Sequence, residues 1–363
     1  MSMEAQKPKP GSNEIEAKFR AIRRAMVLIQ LLIAAVIVFP LYMYLMPQWN
    51  NYKQKRAETT KLALQMQAEA TEKKEYEALW KGDIGDSTNL TKDEWQLIQY
   101  GKELVANTAR YLGPKGSVMQ VSNGMNCQNC HLDAGTRPWG NNYGAVASTY
   151  PKYRARSGGI EDITKRVNDC VERSLNGKGL KADSKEMLAF VAYIRHLGRD
   201  VVKGSKPPGS GIYELALPAS ALDSAAGHAV YLTKCASCHQ VDGQGLKDAE
   251  GITYTYPPLW GKNSYNQGAG LYRMSRFAGY VRYNMPQGAT FLKPQLTDAE
   301  AWNLAAFVNS QPRPTLDLLK DWPKIEEKPF DHPFGPYADT FSEQQHKYGP
   351  FGPIKAFYKK DKK

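Results

Sequence analysis

Spare cysteine is what this chain lacks most. Its 363 residues include five cysteines, and two copies of one short pattern use four of them: Cys127-Gln-Asn-Cys130-His131 and Cys235-Ala-Ser-Cys238-His239. With one thiol left over, a disulfide framework is excluded. A structural zinc site needs a second cysteine pair for each site, and none remains. A thioredoxin-like motif would follow a strand and has no need of the histidine. Carboxylates are also in the minority, 36 against 48 Lys and Arg, for a formal net charge of +12. A basic surface suits anionic substrates, acidic partners or anionic lipid. Part of the excess is only a tail of Lys359, Lys360, Lys362 and Lys363. Proline is missing from residues 48–85, and glycine is missing there before Gly82. That excludes a loop-rich segment and leaves a helix rich in Gln, Glu, Lys and Ala.

C-x-x-C-H is the attachment signature of haem c. Two thiols form thioethers to the haem vinyl groups, and the adjacent histidine becomes an iron ligand. The chain is therefore expected to carry two covalently bound haems c, one on Cys127, Cys130 and His131 and one on Cys235, Cys238 and His239. Haem is attached outside the cytoplasm, so the chain must cross a membrane, and nucleic acid is not an expected partner. Ala25 to Met46 is almost unbroken apolar sequence, enough for a bilayer-spanning helix of roughly 20 residues. Lys18, Arg20, Arg23 and Arg24 precede it and orient that end inward. A cleaved signal peptide would have a shorter run and small residues at its end, whereas this one ends in Tyr42-Met43-Tyr44-Leu45-Met46. The expected location is the cell inner membrane, single-pass, with the haem domains on the periplasmic side.

The expected fold class is all-α: two cytochrome c-type domains in tandem, preceded by an N-terminal transmembrane helix and a helical stalk. The divisions read as a cytoplasmic tail (1–24), a transmembrane helix (25–46), a polar helical stalk (47–90), a first cytochrome c domain (91–205), a second (206–312) and a C-terminal strap (313–363). Thr91-Lys92-Asp93-Glu94 matches a capping box and opens a helix through about Leu112. Ile160 to Leu175 reads as a further helix, and Ser184 caps a closing helix with Met187, Val191 and Ile194 on one face. The Pro- and Gly-rich residues 203–212 read as a linker. The order then repeats, with a helix from Ser220 to Lys234, the second haem motif, a long loop, and a closing helix capped at Thr297. The strap is rich in Pro, Gly and aromatics. It lacks helical periodicity and is too apolar for disorder.

Each iron needs a ligand opposite its histidine. In the second domain Met285, followed by Pro286, is held extended in a ligand-like loop. Met274 falls in a helix and reads as core. Met ligation raises the potential of a haem. The Pro258 carbonyl is a candidate acceptor for the ring N–H of His239. The first domain has no equivalent Met-Pro loop, and Cys170, Met187 and His196 compete. A lone cysteine is often a buried small hydrophobe, but this one sits among Arg154, Arg156, Lys165, Arg166 and Arg173, and positive charge stabilises a thiolate.

Asn126-Cys127-Gln-Asn-Cys130-His131-Leu-Asp-Ala-Gly135, Tyr150-Pro-Lys-Tyr-Arg-Ala-Arg156 and Cys170-Val-Glu-Arg-Ser-Leu-Asn-Gly177 resemble the dihaem thiosulfate dehydrogenases. So do Pro257-Pro-Leu-Trp-Gly261, Asn284-Met-Pro286 and the strap motifs Gly335-Pro-Tyr-Ala-Asp339 and His346-Lys-Tyr-Gly-Pro-Phe351. The resemblance covers roughly residues 92–355. It implies that Cys170 ligates the first haem, with Arg156, Arg173 and Ser174 lining a pocket for a sulfur oxyanion. It implies oxidation of thiosulfate to tetrathionate or the reverse, with a redox partner cytochrome or membrane respiratory complex taking the electrons. Some family members carry a lysine beside the second methionine that can exchange with it, and Asn284 stands there in this chain. The anchor and stalk are the other departure, since described members are typically soluble. They suit a different reading, a tethered electron-transfer subunit of a membrane complex with no substrate of its own.

Overall fold

The computed structural model describes residues 11–85 and 87–360. Residues 1–10 of the expected tail, Asp86, and Lys362 and Lys363 at the end lie outside the described residues. The chain divides into two compact units, one ending at Lys74 and one running from Glu75 to Lys363.

The N-terminal unit is built on one continuous helix, α1 (Ser12–Glu77). Its aliphatic side chains from Val27 to Leu45 are exposed on every side, a pattern suited to lipid more than to water. Among the described residues it is the helix long and apolar enough to cross a membrane, by length and composition. Trp49 and Tyr52 stack just beyond the apolar run, with Lys53 over the Trp49 ring. Aromatic rings with nearby cations are characteristic of the membrane–water boundary.

The expected stalk is helical only as far as Glu77. Beyond it the chain is drawn onto the first cytochrome domain. The Trp80 N–H donates to the Pro208 carbonyl (2.8 Å) and the Gly82 N–H to Thr136 (3.2 Å).

The first domain opens with α2 (Lys92–Ala106), which has the expected capping box. The Glu94 N–H donates to the Thr91 hydroxyl, and the Glu94 carboxylate accepts the Thr91 N–H. The helix does not run unbroken to Leu112. It stops at Asn107 (φ −124°, ψ 36°) and resumes as a short turn, Thr108–Leu112. The break has a use at the haem motif, because it leaves the Ala109 N–H to donate to Asn126 Oδ1 and the Thr108 hydroxyl to accept the Cys127 N–H. Nor does a helix start at Ile160. That residue lies in an antiparallel hairpin of β1 (Lys152–Arg154) and β2 (Gly159–Glu161), and Asp162 then caps α3 (Ile163–Arg173) by accepting the Lys165 N–H. Ser184 caps the closing helix α4 (Lys185–Leu197), whose Met187, Phe190, Tyr193 and Ile194 are buried.

The second domain follows the same plan. Asp223 caps α5 (Ser224–Lys234), so this helix begins four residues later than Ser220. The hairpin β3 (Leu246–Lys247) and β4 (Tyr254–Tyr256) follows the haem motif. Two helices complete the domain, α6 (Met274–Asn284) and α7 (Asp298–Val308), the second with a capping box at Thr297 and Glu300. In both domains the opening and closing helices cross at a glycine. A Cβ on Gly101 would lie 2.1 Å from the Ala189 carbonyl oxygen, and one on Gly227 would lie 2.0 Å from that of Asn303. Either crossing admits only a hydrogen atom.

Residues 203–212 connect the two domains and are held in place. The Gly209 and Gly211 carbonyls accept the backbone N–H groups of Trp139 and Asn141 (2.8 Å each), and both glycines adopt positive φ to do so. The strap contains helices, α8 (Glu343–Tyr348) and α9 (Phe351–Lys360). Pro353 sits in the first turn of α9, where a missing N–H costs no helical bond. Phe351 and Ile354 are fully buried, with Phe351 against Trp302 of α7.

Candidate active site

The first haem motif begins as a tight turn, Cys127–Asn129. His131 Nδ1 lies 2.5 Å from the Asn141 carbonyl oxygen. A carbonyl accepts only from the N–H tautomer, so Nε2 is left with a free lone pair, the form that binds a metal. The His131 ring stacks on Tyr143, and burial lowers its pKa to about 4, which keeps the imidazole neutral. The chain around it passes through the left-handed region at Asp133, Ala134, Trp139 and Asn141, unusual for residues with side chains and common at functional sites.

Cys127, Cys130 and His131 share a cavity of about 130 Å³ with Tyr143, Val146, Phe190 and Ile194, and with Arg166, Cys170 and Ser174 from one side of α3 and its end. Two thiols, a neutral imidazole and apolar walls are the donor set and lining that a covalent haem requires. Met187 and His196 do not line this cavity. Met187 is buried in the core, and His196 Nε2 is bonded to the Ile84 carbonyl.

The second cavity is larger, about 510 Å³, and holds Cys235, Cys238, His239 and Met285 among its lining residues. His239 Nδ1 donates to the Pro257 carbonyl at 2.8 Å, so the acceptor is Pro257, one residue before the expected Pro258. Met285 ends α6 in an extended conformation (φ −134°, ψ 150°), as Pro286 requires. Met274 is fully buried at the other end of the same helix. Asn284 is buried and donates to the Tyr280 and Trp139 carbonyls. This cavity too has the two thiols, neutral imidazole and apolar wall that haem c needs. The two cavities adjoin, since Asn126 and Cys130 line both. Bonds from Tyr280 Oη to the Asn129 carbonyl and from Asn126 Nδ2 to Thr253 Oγ1 hold the first haem motif against the second domain.

Of the four expected anion-site residues, Cys170 and Ser174 line the first cavity. Arg156 and Arg173 do not. Both turn toward Asp321 in the strap. Arg173 donates to both its carboxylate oxygens (2.7 and 3.0 Å), and Arg156 Nη1 lies 3.4 Å from Oδ2. Burial, and then the charge of Arg173, lower the pKa of Arg156 to about 9.

The cation that does line the cavity is Arg166. The Cys170 sulfur beside it favours its charged form, against the effect of burial. Arg166, Cys170 and Ser174 recur every four residues, which sets them along one stripe of a helix. That spacing was the signal in the sequence, and proximity alone did not single out Arg166 from its basic neighbours.

Comparison with known proteins agrees with this architecture. Residues 117–202 match the family model "SoxA/TsdA, cytochrome c domain", and residues 224–312 match "Cytochrome c". A thiosulfate dehydrogenase of Stutzerimonas stutzeri is 36% identical over 219 residues, which is 60% of this chain and 68% of that protein. One from Allochromatium vinosum is 37% identical over 218 residues, 58% of this chain and 79% of its own length. Among solved structures, a thiosulfate dehydrogenase (TsdBA) from Marichromatium purpuratum in its as-isolated form matches with a TM-score of 0.59 and 29% identity. The match covers 66% of this chain and spans half the length of that one.

Proposed function

The chain belongs to the thiosulfate dehydrogenase family of dihaem c-type cytochromes, and from that premise we propose that it joins thiosulfate into tetrathionate, or runs the reverse reaction, at the first haem site. The observation that carries this reading is the grouping of Cys170, Arg166 and Ser174 in the cavity of His131. Forming one S–S bond between two thiosulfates releases two electrons. When bound, the two haems supply two one-electron acceptors, held by Cys127, Cys130 and His131 and by Cys235, Cys238 and His239. Cys170 would be a further ligand of the first and Met285 of the second. Thiosulfate is a dianion, and two of them repel, so the site needs fixed positive charge and donors. Arg166 and Ser174 supply these at the cavity wall, with Arg156 and Arg173 behind them. The adjoining second cavity, with the methionine that favours a higher potential, supports electron exit there to a redox partner cytochrome or membrane respiratory complex.

The apolar, fully exposed run of α1 supports a single-pass anchor in the inner membrane. Lys18, Arg20, Arg23 and Arg24 before it support a periplasmic position for the haem domains. The test of the activity is direct: thiosulfate is added to the oxidised dihaem protein while the haem spectrum is followed. Reduction without a mediator is expected. A spectrum inert to thiosulfate, with the reduced protein equally inert to tetrathionate, would leave the tethered electron carrier instead.

A further inference from the structure

The strap grips the first domain beside the proposed substrate site. Asp321 takes two hydrogen bonds from Arg173 and lies 3.4 Å from Arg156. The next residue adds two contacts to Arg156: the Trp322 N–H donates to its carbonyl (2.7 Å), and the Trp322 ring lies 4.6 Å from its guanidinium. Tyr153 of β1 donates to Glu327 at 2.7 Å. In the hairpin turn, a Cβ on Gly158 would fall 2.4 Å from Pro323 Cγ. One short segment thus holds both the hairpin that carries Arg156 and the end of α3 that carries Arg173. Ser174, on the cavity wall, is the next residue.

The side chains of Arg156, Arg173 and Asp321 are 14%, 14% and 10% exposed. Water therefore screens them little, and removing one member of such a group leaves uncompensated charge. Without this carboxylate, the two guanidiniums would be left with Asp169 alone, 3.9 Å from Arg173 Nε and already bonded to Lys165. We infer that Asp321 is a positioning residue for sulfur-oxyanion turnover. It neutralises the repulsion between Arg156 and Arg173 and fixes the end of α3, so that Ser174 keeps its place in the first cavity. The inference rests on the functional reading above.

The test uses the full-length dihaem protein. Asp321→Asn keeps the shape and removes the charge. The expected result is a KM for thiosulfate raised about tenfold with a smaller change in kcat, as misplacement of a binding group produces. The potential of the first haem should rise, because a nearby negative charge is lost, while that of the second stays. Asp321→Glu should restore both. Trp322→Leu, which loosens Arg156 without changing charge, should raise KM and leave the potential alone. An unchanged KM and potential in Asp321→Asn overturns the inference. A lower KM also overturns it, since the carboxylate would then compete with substrate for the arginines. If Asp321→Asn fails to retain both haems, Trp322→Leu decides, and an unchanged KM there is the refuting result. Wild-type protein inert toward thiosulfate would refute the activity itself, and the first-haem potential of Asp321→Asn would still report whether Asp321 acts on that site.

Discussion

Replacing Gly101 with alanine sets two effects of opposite sign against each other. In an isolated helix the change is favourable by about 1 kcal/mol. Here the new methyl carbon would lie 2.1 Å from the Ala189 carbonyl oxygen and 2.7 Å from Tyr193 Cβ. Ordinary carbon contacts need about 3.5–4.0 Å, so α2 and α4 must separate by more than an ångström. The first obstacle is backbone, which no rotamer change relieves. The cost therefore belongs at the upper end of the overpacking range, about 3 kcal/mol. Clash minus propensity leaves a destabilisation of about 2 kcal/mol, or a Tm lower by about 3 °C for a body of this size. Phe190 and Ile194 of α4 line the first cavity, so the first haem's electron paramagnetic resonance signal should broaden while the second's stays. Thermal melts followed at both haems measure this. An unchanged or higher Tm would mean that propensity outweighs the clash and that the crossing has slack.

Cys170→Gly should leave both haems attached, change the resonance signal of the first haem, and cut thiosulfate turnover by about 100-fold or more. An unchanged first-haem signal would return Cys170 to a packing role. Met285→Ala should abolish the methionine–iron charge-transfer band of the oxidised protein and lower that haem's potential. If Met274→Ala does so instead, the ligand is misassigned. Protease added to spheroplasts should degrade the haem domains, and their survival until lysis would refute the proposed orientation.

The haem motifs and helix caps were legible because their chemistry is local. C-x-x-C-H places two thiols and an imidazole within one turn. Thr91 with Glu94 and Thr297 with Glu300 meet across three residues. What the sequence hid depends on distant partners. Nothing near Asn107 announces a break in the helix, since its use lies in bonds to Asn126 and Cys127. The helix at Phe351 was hidden by Pro350 and Pro353, which look like breakers unless one knows that they fall at a helix start. Arg156 and Arg173 were expected in the pocket on the family resemblance, which carries no information about what each pairs with in this chain. Their carboxylate is Asp321, 148 residues beyond Arg173, and no local pattern names it.

The two halves share a plan, and the functional difference lies in what shares each cavity with the histidine. Both imidazoles are fixed the same way, by Nδ1–H on a carbonyl, from Asn141 in one half and Pro257 in the other. The Asn141 N–H is bonded in turn to Gly211, so the connection between the domains also braces the first site. Beyond that the sites diverge. The first sets a cysteine, a serine and a charged guanidinium in its cavity. The second sets a methionine there, with a neutral asparagine whose amide is already bonded to the carbonyls of Trp139 and Tyr280. On the proposed ligation, Cys170 would hold the first haem at low potential and Met285 would hold the second at higher potential. Electrons taken from a sulfur anion at the first would then run downhill to the second. Asn284 has no amine to offer the iron and no free donor to move, so the second site should keep one ligand through turnover. Its potential would then stay constant through turnover.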